Sequence, residues 1–240
     1  MDLLLSDKEH FVSLVLHQHP FASYCQKVVI ALYELDLSFS THLVDDADAR
    51  SELAATLWPM ASIPVLRDES ADLTLPESTT IIEYLDDLAA DGPRLIPADR
   101  GEALQARLWD RFFDHYVATP MQKIVGDSLR PEGRNDPEGV VEARSTLDTA
   151  YTVLDAHLAD RTWATGATFT LADCAAAPAL FYTRAVHRWD EDGQLNITRY
   201  YRDLMARPSV ARVVDEARPW REIFPLPWPA DMDELHPVEP

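Results

Sequence analysis

A proline at the head of a short apolar run restricts this chain more than any other feature. In Ser62-Ile63-Pro64-Val65-Leu66 a β-branched residue meets proline, and Leu75-Pro76-Glu77-Ser78-Thr79-Thr80 follows after a polar interval. Proline has no backbone donor, so it opens a strand or sits on a sheet edge. An X-Pro bond is also where a cis peptide costs least, usually in a tight turn. A strand begun this way leaves the Val65 N–H and C=O available to an extended peptide ligand. Glu77-Ser78 stands where Ile81, Leu85 and Leu88 begin an i, i+4, i+7 stripe, so a helix opens there. The Ser78 hydroxyl and the free N–H groups of that helix start favour an anion, by ~0.3–1 kcal/mol and up to about 2 when partly buried. Together the two segments point to a site for a small, extended, anionic peptide.

The flanking pattern supplies a scaffold. Alternation over residues 12–17 predicts a first strand, and His17-Gln18-His19-Pro20-Phe21 turns into a helix carrying Val28, Val29, Ala31, Leu32 and Leu35. Residues 38–44 read as a second strand, and 45–57 as a weakly amphipathic helix broken at Trp58-Pro59. Val65-Leu66 and Leu73-Thr74-Leu75 are short strands, and the helix after Ser78 ends at Asp91-Gly92-Pro93. This order, βαβαββα, fills residues 1–90, with 91–100 as a linker.

No convincing strand follows, so residues 101–218 read as an all-α domain. Its first helix runs over about 100–129, with Leu104, Leu108, Phe112 and Tyr116 on one side, Trp109 and Phe113 adjoining, and a bend at Pro120. Further helices are predicted over 140–158, from Thr170, and near 197–205 and 209–217. Thr170-Leu171-Ala172-Asp173 fits a capping box, with Phe169 and Cys174 in the staple positions. Pro178 removes the bond to the Cys174 carbonyl and predicts a kink. Residues 219–240 are proline-rich, acidic and aperiodic, either a tail draped over the body or a disordered one.

Composition narrows the partners. A chain of 240 residues, 47% hydrophobic, can bury one large core or two modest ones and is not disordered overall. Its net charge of −20 argues against nucleic-acid binding through phosphates, and means that local donors must hold any anionic ligand. The two cysteines, Cys25 and Cys174, fall in different predicted helices, which gives no disulfide and fits a reducing cytoplasm. The first ten residues carry too short an apolar run for a secretory signal, and no stretch nears the roughly 18 apolar residues of a membrane span. His17 and His19 have no ligand cluster beside them, so no metal is expected.

The proline-led strand, the Glu77-Ser78 helix start and the Thr170–Asp173 box after Gly166 resemble the glutathione transferase family, over roughly residues 12–218. The resemblance implies an α+β thioredoxin-like domain, a cis bond before Pro64, an all-α bundle and glutathione as co-substrate. It also implies a homodimer, the first domain packed against the neighbour's long helix. Within the site it implies that Val65, beside Ile63 and Pro64, pairs with the cysteinyl unit of glutathione. Glu77 meets the γ-glutamyl ammonium and Ser78 its carboxylate. Ser62 falls where relatives often carry Lys or Gln facing the glycyl carboxylate, and its short side chain puts that contact in question. Phe112, Phe113 and Tyr116 are the candidate walls of a second-substrate pocket.

With a thiol pKa near ~8.5, only about 3% of free glutathione is thiolate at neutral pH. Lowering that pKa by roughly two units takes about 2.7 kcal/mol in favour of the anion. Many relatives place an activating Ser or Cys where this chain has Ala22. The adjacent Ser23 is the candidate thiolate donor, and it fits a plain N-cap equally well. Tyr24 offers a third hydroxyl, and Cys25 reads as a buried small side chain. The expected activity is attack of the thiolate on a small apolar electrophile, as in detoxification. The alternatives are a glutathione-dependent dehalogenase, isomerase or ether-cleaving enzyme, and a non-catalytic binding or regulatory module.

Overall fold

The structure, a computed structural model, describes residues 14–89 and 92–234. Strand β1 (Leu14–Gln18) alternates buried and half-buried positions and is followed by α1 (Ser23–Glu34). Strand β2 (Ser40–Leu43) is exposed along its length, as an outer strand can be. Helix α2 (Ala47–Thr56) opens on Asp46, whose carboxylate accepts the Ala49 N–H at 2.8 Å. Then come β3 (Val65–Asp68), β4 (Leu73–Pro76) and α3 (Ser78–Leu88). The predicted start of the first strand at residues 12–13, Asp91 and residues 235–240 lie outside the described residues.

The sheet order is β2-β1-β3-β4, with β1 parallel to β2 and β3 antiparallel to both of its neighbours. Side chains on a strand alternate faces, so consecutive residues serve different layers. Leu66 joins Leu14, Leu16, Val28, Leu32, Ile81, Ile82 and Leu85 in the main core. Val65 turns the other way, to Val44 and Leu53 under α2. This is the thioredoxin-like βαβαββα layer expected of the first ninety residues. The linker is tied to both domains at its middle: Asp86 accepts the Leu95 and Ile96 N–H groups, at 2.6 and 3.3 Å, while Leu95 O accepts the Leu171 N–H at 2.9 Å.

The second domain is helical throughout the described residues: α4 (Arg100–Phe112), α5 (Thr119–Ser128), α6 (Pro137–His157), α7 (Leu171–Val186), α8 (Leu195–Met205) and α9 (Pro208–Ala217). The predicted single helix over 100–129 is interrupted by a π-helical segment, Phe113–Ala118, just ahead of Pro120. Proline cannot donate to the ladder, and the wider i→i+5 turn before it takes up the mismatch. The Thr119 hydroxyl closes that turn on Asp114 O at 2.9 Å. Helix α7 is buried over nearly its whole length and runs on through Pro178, its alanines allowing close approach of neighbouring helices. Beyond α9 the chain drapes over the body. A 3₁₀ turn (Arg218–Ile223) leads to Phe224, Leu226 and Trp228 packed on the core, and α10 (Asp231–Glu234) buries Met232.

Candidate active site

The site grows from the start of α1. Ser23 is the first helical residue, and the N-cap position belongs to Ala22, in extended conformation and without a side-chain cap. The plain N-cap reading of Ser23 therefore falls. The preceding turn is nonetheless tightly held. Ala22 N–H donates to His19 O at 3.0 Å, Phe21 N–H to His19 Nδ1 at 3.1 Å, and Ala22 O accepts the Cys25 and Gln26 N–H groups at 2.9 and 3.0 Å. Ser23 is 8% exposed and lines a cavity of about 390 Å³ between the domains.

Across that cavity lies the Ile63–Pro64 bond, which is cis. Ile63 sits outside the paired strands and forms part of the cavity wall. Val65 does not offer a free edge. It is fully buried and in register with His17 of β1 on one side and Pro76 of β4 on the other. The expectation that Val65 pairs with a ligand is thereby corrected: β3 has neighbours on both edges, and the open backbone comes two residues earlier. Ser62 is exposed, and its hydroxyl accepts the Trp58 indole N–H at 3.1 Å.

Glu77 and Ser78 open α3, as the pattern required. Glu77 is exposed and takes φ 70°, ψ 112°. A non-glycine residue held there costs on the order of 1–3 kcal/mol, and such residues cluster at ligand clamps. Ser78 beside it is 7% exposed. The two helix starts are locked together by a buried polar cluster. The Lys27 ammonium, one turn beyond Ser23, reaches Asp110 at 2.6 Å, Asp114 at 2.9 Å and the Thr79 hydroxyl at 3.0 Å. Thr79 in turn donates to Asp110 at 2.9 Å, and Arg111 closes the outer side against Asp110 and Asp114. Burial pushes the Asp114 carboxyl up, and the Lys27 ammonium pulls it back.

The rest of the cavity wall, apart from Tyr24 and Gln122, is mostly apolar and comes from elsewhere than expected. Met121 and Val125 of α5, with Leu129 at its C-cap, face Phe21, Tyr182 of α7 and Ile223, Phe224 and Pro225 of the draped segment. Phe113 instead lies fully buried in the core, stacked on Tyr200. Phe112 and Tyr116 line a separate groove against Ser145, Thr149 and Val153 of α6. Phe112, Phe113 and Tyr116, expected as walls of a second-substrate pocket, therefore do not line the cavity beside Ser23. Leu104, Leu108 and Tyr116 point outward, at 64%, 54% and 55% exposure. The inward side of α4 is Ala103, Ala106, Trp109 and Asp110.

Two other candidates settle into packing. Burial pushes the Cys25 thiol up to about 12, which suits a core side chain and not a nucleophile, and Cys174 is likewise buried and free. His17 lies against His42, its pKa lowered by burial, and His19 accepts from the turn and meets Trp220 edge-on. Among the described residues no three His, Cys, Asp or Glu side chains converge to hold a metal ion. No described helix is long and apolar enough to cross a membrane.

Comparison with known proteins agrees with this geometry. Residues 16–94 match the glutathione S-transferase N-terminal domain model, and residues 102–216 the C-terminal domain model. The glutathione S-transferase GstB of Escherichia coli is 29% identical over 202 residues, which cover 79% of this chain and 91% of that protein. A stringent starvation protein A homolog of Coxiella burnetii is 30% identical over 70% of this chain and 75% of its own length. Among solved structures, a glutathione S-transferase of Methylobacterium radiotolerans in complex with glutathione sulfonate superposes with TM-score 0.74 at 26% identity, covering 84% of this chain and 94% of that one. One from Methylobacillus flagellatus with glutathione bound gives 0.75 at 26%, covering 83% and 98%. Two matching domain models in order along one chain, with the site between them, show that this protein belongs to the glutathione S-transferase family.

Proposed function

We propose that the protein binds glutathione across the starts of α1 and α3 and activates its sulfur as a thiolate for attack on a small apolar electrophile. The observation that carries this reading is the uncapped start of α1, with the Ser23 hydroxyl beside it, opening into an apolar cavity. Free helix-start N–H groups and one hydroxyl stabilise an anion, the more so where water is excluded. The cysteinyl backbone of the ligand pairs with Ile63, which takes over the role first given to Val65. Glu77 meets the γ-glutamyl ammonium and Ser78 the carboxylate. Ser62, exposed at the outer end, faces the glycyl end. Solved relatives holding glutathione or its sulfonate support the choice of ligand.

The electrophile lies against Met121, Val125, Leu129 and Phe224, and a cavity of about 390 Å³ limits it to a compact molecule. Catalysis needs no covalent enzyme adduct: thiolate stabilisation and juxtaposition of the reactants suffice. Two unpaired thiols fit the reducing cytoplasm as its place of work. The outward stripe Leu104, Leu108 and Tyr116 supports a homodimer built on α4. Leu108→Glu is expected to yield monomers in sedimentation, and an unchanged dimer would reject that face.

Ala22 favours a second reading, a glutathione-binding protein without turnover, because the N-cap position carries no polar group. Calorimetry with reduced glutathione and a conjugation assay with an activated aryl halide separate the two. For the enzyme, Ser23→Ala should lower kcat/KM about 10- to 100-fold, the worth of one hydrogen bond to a charge. Turnover unaffected by Ser23→Ala would remove that hydroxyl from the mechanism, and binding without turnover in the unmodified protein would favour the second reading.

A further inference from the structure

The turn that delivers Ser23 is held from the other domain. Tyr182, on α7, is 3% exposed, and its hydroxyl donates to Phe21 O at 3.0 Å. The same oxygen accepts one Gln26 amide N–H at 3.0 Å, and the Gln26 amide also donates to Pro20 O at 2.9 Å. Gln26 is 2% exposed, so this is a buried network with its members satisfied. Two consecutive carbonyls, Pro20 and Phe21, are thus fixed by one tyrosine–glutamine pair. The Phe21 carbonyl shares its peptide plane with the Ala22 N–H, so holding one orients the other. Ala22 is the residue from which α1 starts.

The ring of Tyr182 has a separate task. It lines the cavity, edge-on to Phe21 at 5.2 Å and stacked with Phe224 at 6.5 Å between centroids. One side chain therefore forms wall for the electrophile with its ring, and grips the thiol-side turn with its hydroxyl. Burial keeps the phenol un-ionised, its pKa pushed well up. The titratable neighbour on α1, Cys25, stays a neutral thiol for the same reason. No charge on either group competes with the hydrogen bonds.

We propose that Tyr182 is a positioning residue for thiolate formation: from the helical domain, its hydroxyl and Gln26 set the aim of Ser23 and the first α1 amides at the sulfur of glutathione. The inference rests on the thiol-activation reading above. It does not make Tyr182 a donor to the sulfur, since its hydroxyl proton is committed to Phe21 O.

Tyr182→Phe keeps the ring and removes the grip. The decisive measurement is the pKa of bound glutathione, followed by ultraviolet thiolate absorbance, alongside the pH profile of kcat/KM with an activated aryl halide. In Tyr182→Phe both should move up by about half to one pH unit, and neutral-pH turnover should fall about 3- to 10-fold, as the loss of one or two buried hydrogen bonds implies. KM for the electrophile should stay within about twofold, because the cavity wall is intact. Gln26→Met, which frees Pro20 O and leaves the Tyr182–Phe21 bond, should give a smaller shift in the same direction. It also serves as the test if Tyr182→Phe fails to fold. A lower Tm in either variant with an unmoved thiol pKa and pH profile would overturn the inference and leave thiol activation standing. No depressed thiol pKa in the unmodified protein would overturn the activation reading, and this inference with it.

Discussion

Helix α7 begins in a closed capping box, whereas α1 begins at Ala22, whose side chain offers its first amides no acceptor. At α7, Asp173 accepts the Thr170 and Ala164 N–H groups, each at 2.8 Å, and the Tyr200 hydroxyl at 2.6 Å. Helices α2, α4 and α6 open on Asp46, Asp99 and Asp136, α8 is covered by Asp155, and α9 starts with Pro208, which has no donor. The starts of α1 and α3, which flank the Ile63–Pro64 loop, have no side-chain cap. A cap is worth about 1 kcal/mol, and forgoing it at two adjoining sites costs stability. The difference separates two uses of one local motif. At α2, α4 and α6 a carboxylate at the N-cap completes the helix; under the proposed function, the starts of α1 and α3 leave that place for an anionic ligand.

The largest effect should come from unmaking the closed start. Asp173 is 0% exposed, and Asp173→Ala leaves the Thr170 and Ala164 amides and the Tyr200 hydroxyl without their acceptor. Urea unfolding should show a loss of about 3–5 kcal/mol, in the range for a broken buried network. A loss below about 1 kcal/mol would mean that the box at α7 is no more than a surface cap. The same carboxyl gives the comparison a pH signature. Burial raises its pKa to about 6 against the donors that favour its ionised form, from an ordinary value of 3.8. The folded state then takes up a proton that the unfolded chain does not bind between pH ~4 and ~6, so this contribution to stability grows as pH falls through that window and is lost as pH rises through the folded value. Between pH ~7 and ~5, the unmodified protein should gain roughly 1 kcal/mol that Asp173→Asn does not. Parallel pH curves for the two would contradict the assignment.

These two starts also show what was legible in the chain beforehand. The box at Thr170–Asp173 and the opening at Glu77-Ser78 are local patterns of two to four residues, and both stand where the pattern put them. The Ile63–Pro64 bond is legible for the same reason, since proline restricts its own neighbourhood. The cavity wall was not. The stripe through Leu104, Leu108, Phe112 and Tyr116 follows 3.6 residues per turn, but the π segment Phe113–Ala118 shifts the phase before Met121 and Val125 arrive. The amphipathic stripe also faces outward, because the buried side of α4 is made largely of small residues and charged partners for Lys27. Ile223, Phe224 and Pro225 carry no periodicity at all, and the grip of Tyr182 on Phe21 joins residues 161 positions apart. Pattern reads short-range constraint, while long-range closure has to be seen.

Capping the open start would sharpen the comparison. Ala22→Asp places a carboxylate where α2, α4 and α6 already have one, and the apo protein should gain about 1 kcal/mol. The same charge repels a thiolate and takes the N–H groups it needs, so affinity for reduced glutathione should fall about 5- to 10-fold in calorimetry. Stability and binding thus move in opposite directions. A variant that gained stability and kept full affinity would show that the sulfur does not use the start of α1.

The smallest effect tests whether the open start depends on being kept dry. The draped segment that closes the cavity is pinned at its far end by Asp231, which meets Arg184 at 2.8 Å and Arg188 at 2.5 Å. The Arg188 hydrogen bond, with Arg184 adding to it, holds the Asp231 carboxyl down to about 2, so the latch is charged at neutral pH and fails only in strong acid. Because Asp231 is partly exposed, its pairs are screened by solvent, and Asp231→Asn should cost less than about 1 kcal/mol in unfolding. Its consequence for the site differs in kind. Loosening Ile223, Phe224 and Pro225 would admit water to the cavity and weaken the interactions proposed to hold a thiolate there. Turnover of a compact aryl halide should fall about 2- to 3-fold, and bulkier electrophiles should lose less or gain. The same loss for compact and bulky substrates would mean that the segment is only a cover, and that the openness of α1 is protected from water by the domain interface alone.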